Sequence, residues 1–195
     1  MSFHLRCPTE GTVAASLAAA QHQSLTYQPI GLALAPRVGY WTDDAGAVIG
    51  QGDAAFACAR RALEQWQQFD LGWTQVFPKR AAIVEGTVVV VRVRHLRFWS
   101  LNPCRIVSTR ETAHEFSFAY GTLPTHAESG EEIFKVTIDA ATGDVRYDIR
   151  AVSRAHALLA KLGGPVTRGW QARFRDHSIA AMRRAIVNDK AHLHG

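Results

Sequence analysis

Two hydrophobic periods divide the chain, and together they leave few folds open. Between Ile83 and Val152, apolar and polar residues alternate in short segments. From Val166 to about Asn188, the apolar positions Val166, Trp170, Phe174, Ile179, Met182 and Ile186 form one stripe at close to helical spacing. The first period is that of half-buried strands, the second that of a helix with one buried stripe. Ile83 to Trp99 places Val89, Val91, Val93 and His95 on one face, with Val90, Arg92 and Arg94 on the other. Cys104 to Thr109, Glu115 to Tyr120, Ile133 to Ala140 and Val145 to Val152 read as further strands. Short connections such as Ala141 to Asp144 join antiparallel neighbours. The final helix follows Gly163-Gly164-Pro165, with Pro165 suited to its first turn. At ~1.5 Å per residue it is ~35 Å long, enough to cross a whole sheet.

The first third is less regular. Thr9 is placed to cap a helix over residues 9–22, with Glu10 in its first turn. Ser24 to Ile30 reads as a strand closed by Pro29 and Gly31, and Ala33 to Gly46 as an irregular connection on a pocket rim. Asp53 is then placed to cap a helix with apolar positions Phe56, Ala59, Leu63 and Trp66. Gly50, Gly52 and Ala55 fit G-x-G-x-x-A, and Asp70 lies at a fitting distance for a dinucleotide fingerprint. A dinucleotide fold needs a buried strand ending at that acid; here helix residues run almost to Asp70. The motif is therefore read as a tight turn into a helix, and no cofactor is expected.

This order of elements predicts a single α+β domain over residues 1–195. A curved antiparallel sheet of about six to seven strands wraps a long C-terminal helix. That is the helix-grip arrangement of the steroid-transfer (START) and birch-pollen-allergen (Bet v 1) folds, which commonly leaves a cavity between sheet and helix.

Chemistry concentrates in one stretch. Phe116 to Phe134 reads FSFAYGTLPTHAESGEEIF, breaking at Gly121 and Pro124 before His126, Glu128, Glu131 and Glu132. Nowhere else do an imidazole and three carboxylates fall within seven residues. In an extended loop, His126 and Glu128 point the same way; a carboxylate beside a histidine favours the imidazolium and sets its tautomer. These two are the candidate catalytic residues. Arg105 can offer a bidentate contact to a carboxylate, and Tyr120 a hydroxyl donor. Arg105, Tyr120, Glu131, Trp99 and Asn102 form the candidate ligand-binding set. No metal site is expected, because three ligands this close in sequence rarely converge without help from elsewhere; the tail pair His192 and His194 is read as solvent-exposed.

Composition excludes several classes. No apolar run approaches the ~18 residues of a membrane span, and Pro8 to Gly11 stand where a signal peptide would need its apolar segment. Three cysteines, Cys7, Cys58 and Cys104, form no C-x-x-C and suit a reducing cytoplasm. The formal charge of +5 comes from 18 Arg and 4 Lys, spread along the chain with no basic run. Nucleic acid is therefore not the expected partner.

With these motifs in view, the chain resembles the uncharacterised family known as domain of unknown function 1990, found in bacteria and plants. The pieces that carry the resemblance are TYQPIG at Thr26 to Gly31, IGQGDAAF at Ile49 to Phe56, LEQW at Leu63 to Trp66 and NPCRIV at Asn102 to Val107. FAYGTLPTHAESGEEIF at Phe118 to Phe134, IRAVSR at Ile149 to Arg154 and LGGPVTRGWQ at Leu162 to Gln171 complete it, over about residues 25–182. The resemblance implies no activity and no ligand. Three readings are carried forward: a cytoplasmic protein holding a small, partly apolar ligand between sheet and helix; an enzyme of acid–base or hydrolytic chemistry at the His126, Glu128 and Glu131 loop; and a nucleic-acid binder using its basic surface.

Overall fold

A computed structural model describes residues 2–35, 37–155 and 164–193. Gly163, His194 and the side chains of Val166 and His192 lie outside what it describes. Eight strands form one antiparallel sheet: β1 (Ser2–His4), β2 (Trp41–Gln51), β3 (Thr74–Phe77), β4 (Val88–Arg94), β5 (Trp99–Glu111), β6 (Glu115–Thr122), β7 (Glu128–Ile138) and β8 (Asp144–Ala155). The order across the sheet is β2-β8-β7-β6-β5-β4-β3, with β1 beside the start of β5. Among the described residues, helices α1 (Glu10–Ala20), α2 (Asp53–Glu64) and α3 (Gly164–Leu193) join the sheet, with a 3-10 turn at Gln67–Phe69. The sheet curls, and α3 lies against its inner face together with α2.

The predicted faces separate as the alternation requires. Val89, Val91, Cys104, Ile106, Phe118, Phe134, Val136, Tyr147 and Ile149 build the inner core with Leu63, Met182 and Ile186 from the helices. Val88, Val90 and Leu101 point the other way, where Val13, Leu17 and Ala20 of α1 cover them. Thr9 caps α1 as expected, accepting from the Thr12 N–H at 3.2 Å.

Several local expectations are corrected. Ser24 to Ile30 is not a strand; it crosses the outer face of the sheet, where Tyr27 and Leu25 pack with Leu32, Ala33, Tyr40, Ile133 and Val152. Trp41 to Gln51, read partly as an irregular connection, is an edge strand paired to β8. Its two aspartates hid it: Asp44 meets Arg150 at 2.6 Å on the outer side, and Asp43 pairs with Arg175 of α3 on the inner side. The region Ile83 to Trp99 is two strands, because the chain reverses at His95 to Phe98 and Trp99 opens β5. Pro103 lies within β5: its carbonyl accepts from Leu123, so its hydrogen-bonding side faces that loop rather than β4. Gly50 and Gly52 serve the turn from β2 into α2, with Gly52 rather than Asp53 at the cap position and Asp53 in the first turn. Gly52 takes φ 83°, and a side-chain carbon on Gly50 would lie 2.9 Å from Ala55.

Candidate functional site

The site begins with a row of residues across the sheet. Directly opposed residues of antiparallel strands share a face, and the register Asp43–Ala151, Ala151–Glu132 and Glu132–Tyr120 runs across β2, β8, β7 and β6. The side chain in the middle of that row is a methyl group. Ala151 leaves space between two acids and a phenol, and α3 closes over it with Trp170, Gln171, Phe174 and Arg175. The result is a cavity of about 610 Å³. Phe69, Trp73, Val91 and Val93 form an apolar wall, and Phe3, Leu5, His95 and Phe98 lie along another side.

The polar groups are few. Tyr120 Oη donates to Glu132 Oε2 at 2.6 Å. Burial pushes the Glu132 carboxyl up from 4.5 to about 7; the Tyr120 bond opposes this, and the charge of Glu128 adds to it. Burial likewise raises Glu128, against the pull of its donors, Ser153 Oγ at 2.7 Å and Gln171 Nε2 at 2.9 Å. The Gln171 bond ties α3 to the first residue of β7. Burial also raises the Tyr120 hydroxyl and the Cys104 thiol beneath it, so both stay neutral.

His126 borders the cavity on the five-residue loop between β6 and β7, next to Thr125 at φ 77°. Its Nδ1 accepts from the Glu128 N–H at 2.9 Å. The carboxylate of Glu128 is turned to Ser153 and Gln171. Asn102 steadies the same loop, its Oδ1 accepting from the Ala127 N–H at 3.3 Å while its Nδ2 reaches Ser100 Oγ at 2.9 Å. Ser100 Oγ in turn contacts His95 Nε2 at 3.0 Å, and burial lowers the His95 imidazole so that it favours the neutral form.

Of the residues singled out from sequence, His126, Glu128, Tyr120 and Asn102 therefore meet at one cavity. Arg105, Glu131 and Trp99 point to the outer face. Arg105 Nη2 donates to the Gln21 carbonyl at 2.9 Å and the Ala20 carbonyl at 3.4 Å, closing the C-terminal end of α1. Glu131 takes the Tyr27 hydroxyl at 2.6 Å and the N–H groups of Gly31 at 3.0 Å and Ala33 at 3.3 Å. Trp99 stacks under Arg92 at 5.5 Å. Glu132, Asp43, His95 and the aromatic wall were not singled out as site residues. Glu132 and His95 carried a signal: Glu132 sits at even spacing from Glu128 on one strand, and His95 shares the face of Val91 and Val93. Among the described residues, no group of His, Cys, Asp and Glu is placed to hold a metal ion, and no helix is long and apolar enough to cross a membrane.

The class of protein is set by the fold: a curled antiparallel half-barrel gripping a C-terminal helix, as in Bet v 1-like and START-like proteins. The ginseng (Panax ginseng) major latex-like protein 151 is one such neighbour, with TM-score 0.50 and 11% identity, covering 75% of this chain and 97% of that one. The chain belongs to the family described as Domain of unknown function (DUF1990), whose model matches residues 26–181. A UPF0548 protein of Dictyostelium discoideum is 33% identical over 73% of this chain and 71% of its own length. A UPF0548 protein of Deinococcus radiodurans is 31% identical over 94% of this chain and 98% of its own.

Proposed function

We propose that this protein is a carrier or receptor for a small, mostly apolar molecule held between the sheet and α3. Its polar end would meet Tyr120, Glu132 and Glu128. The observation that carries the reading is the cavity of about 610 Å³, within the ~300–1,000 Å³ usual for small-molecule sites, with a mostly apolar surface and a cluster of polar side chains at one part of it. The three cysteines, two of them buried, suit a cytoplasmic setting. Native mass spectrometry of protein purified from its own cells, beside a denatured control, tests the reading. Extra mass that leaves on denaturation supports it; an unloaded protein whose tryptophan emission also ignores amphipathic probes sinks it.

A second reading, acid–base turnover of the bound molecule, is favoured by one observation. Glu132, with a carboxyl near 7, touches Tyr120 in a largely apolar chamber, as a general acid or base requires. His126 and Glu128 would then position the substrate. If the wild type returns a recovered ligand chemically unchanged on prolonged incubation, this reading fails while the first stands.

A further inference from the structure

Three carboxyl groups and one guanidinium face the cavity from β2, β7 and α3, namely Asp43, Glu128, Glu132 and Arg175, beside the imidazoles of His95 and His126. Asp43 and Arg175 pair with each other. That leaves two carboxyl groups on β7, and among the described residues neither meets a lysine or an arginine. Glu128 has both oxygens occupied, by Ser153 and Gln171. Glu132 is different. Only its Oε2 has a donor, from Tyr120, and Oε1 has none among the described residues although the side chain borders the cavity.

A carboxyl held in a largely apolar chamber without a cation demands either a proton or a cationic guest. We infer that the ligand of this cavity carries a basic nitrogen, an amine or amidine on an apolar body, whose N–H donates to Glu132 Oε1. The apolar body lies against Phe69, Trp73, Trp170 and Phe174. This rests on the cavity being a ligand site and specifies its chemistry. A carboxylate guest would meet two acids with Arg175 already engaged. A neutral alcohol can fill the space but offers only an uncharged hydrogen bond, about half as strong as a charged one.

The same geometry fixes the pH dependence. Around Glu132 stand Tyr120 from β6, Cys104 from β5, Tyr147 from β8 and Glu128 from its own strand, with the Asp43–Arg175 pair across the row and His126 and His95 elsewhere on the cavity wall. Glu132 loses its proton near pH 7. A protonated amine binds the ionised form, so its affinity rises with pH up to that point and levels off above it. Below that pH, binding releases a proton.

The test uses three probes with one aromatic body: 2-naphthylmethylamine, 2-naphthalenemethanol and 2-naphthoate. Quenching of tryptophan emission reports binding, since Trp73 and Trp170 line the cavity. At pH 8 the amine is expected to bind about tenfold tighter than the alcohol, as a charged hydrogen bond in a buried site allows. The naphthoate should be weakest. At pH 6 the gap narrows, and calorimetry in two buffers of different ionisation enthalpy reads the released proton. In Glu132→Gln, which matches the protonated carboxyl in shape, the amine loses its advantage while the alcohol binds as before. Equal binding of amine and alcohol to the wild type, or a preference for naphthoate, overturns the inference and leaves the cavity reading standing. If none of the three binds, the cavity reading fails and this inference with it.

Discussion

Glu131 and Glu132 are neighbours in the chain, yet each accepts a tyrosine hydroxyl at 2.6 Å on opposite faces of the sheet, Tyr27 outside and Tyr120 inside. The pleat of β7 sends one to an anchor and the other to a cavity. Their surroundings then separate their chemistry. Among the described residues, Glu131 has three donors, two of them backbone N–H groups, and Glu132 has one.

Glu132 should make the protein less stable as pH rises. Its folded carboxyl sits near 7 against an ordinary 4.5, so the folded state holds its proton more tightly than the unfolded chain does. The contribution is complete below the unfolded value and is lost as pH climbs through the folded one. From pH 5 to pH 8 the loss amounts to roughly 2 kcal/mol. Urea unfolding of the wild type and Glu132→Gln at both pH values checks this. The variant should gain on the wild type by about that amount at pH 8; a difference independent of pH would refute it.

Glu131→Ala should cost about 3 kcal/mol, because it strands a buried phenol and two backbone donors. The loss should also loosen residues 25–35, read as faster cleavage there in limited proteolysis. Probe binding in the cavity should be little changed, since the side chain faces away from it.

Two glycines should respond oppositely to alanine. A side-chain carbon at Gly130 would collide with the Val152 carbonyl and lie 2.6 Å from Ser153 Cα, backbone atoms of the paired strand that cannot step aside. Gly130→Ala should cost at least about 2 kcal/mol. At Gly169, in α3, nothing lies within 4 Å of the added carbon. Gly169→Ala should stabilise by about 0.7 kcal/mol through helix propensity. Thermal and urea unfolding measure both.

Ala151→Phe should occupy the gap between Asp43 and Glu132. The fold should persist by circular dichroism, while probe affinity falls by about tenfold or more, in line with the loss of a well-shaped pocket. Undiminished binding would move the ligand elsewhere.

Arg105→Ala should cost about 1 kcal/mol, the scale of a helix-end hydrogen bond, and leave probe affinity unchanged. A tenfold affinity loss would instead return Arg105 to the binding site.

Much of this was legible in the sequence. The alternation at Val89, Val91 and Val93 and the stripe through Trp170, Phe174 and Met182 were enough for the sheet, the helix and their contact, because both patterns report burial directly. The 126–132 stretch was legible as a concentration of chemistry but not as a strand. Its carboxylates face a cavity or a buried anchor, so polar residues occupy positions where alternation would show apolar ones. Reading it as a loop obscured the rule that parts Glu131 from Glu132. Arg105 misled for a related reason: a guanidinium suited to a ligand carboxylate is equally suited to the backbone carbonyls of a helix end, and only tertiary placement tells them apart. Asp43 and Ala151 gave no local signal at all, since their roles arise from cross-strand register.

Helix α3 changes duty along its length. Tyr147 Oη and Ser178 Oγ meet at 2.9 Å, and from there Ser178, Met182 and Ile186 are buried in the core, whereas Trp170, Gln171 and Phe174 stand over the cavity. One helix thus holds the molecule together with its second half and shapes the chamber with its first. Substitutions at 170, 171 and 174 can reshape the chamber without dismantling the fold, while those at 178, 182 and 186 cannot. On the carrier reading proposed above, diversification of the guest among relatives is therefore expected to be written in the first half of α3, over a second half that stays the same.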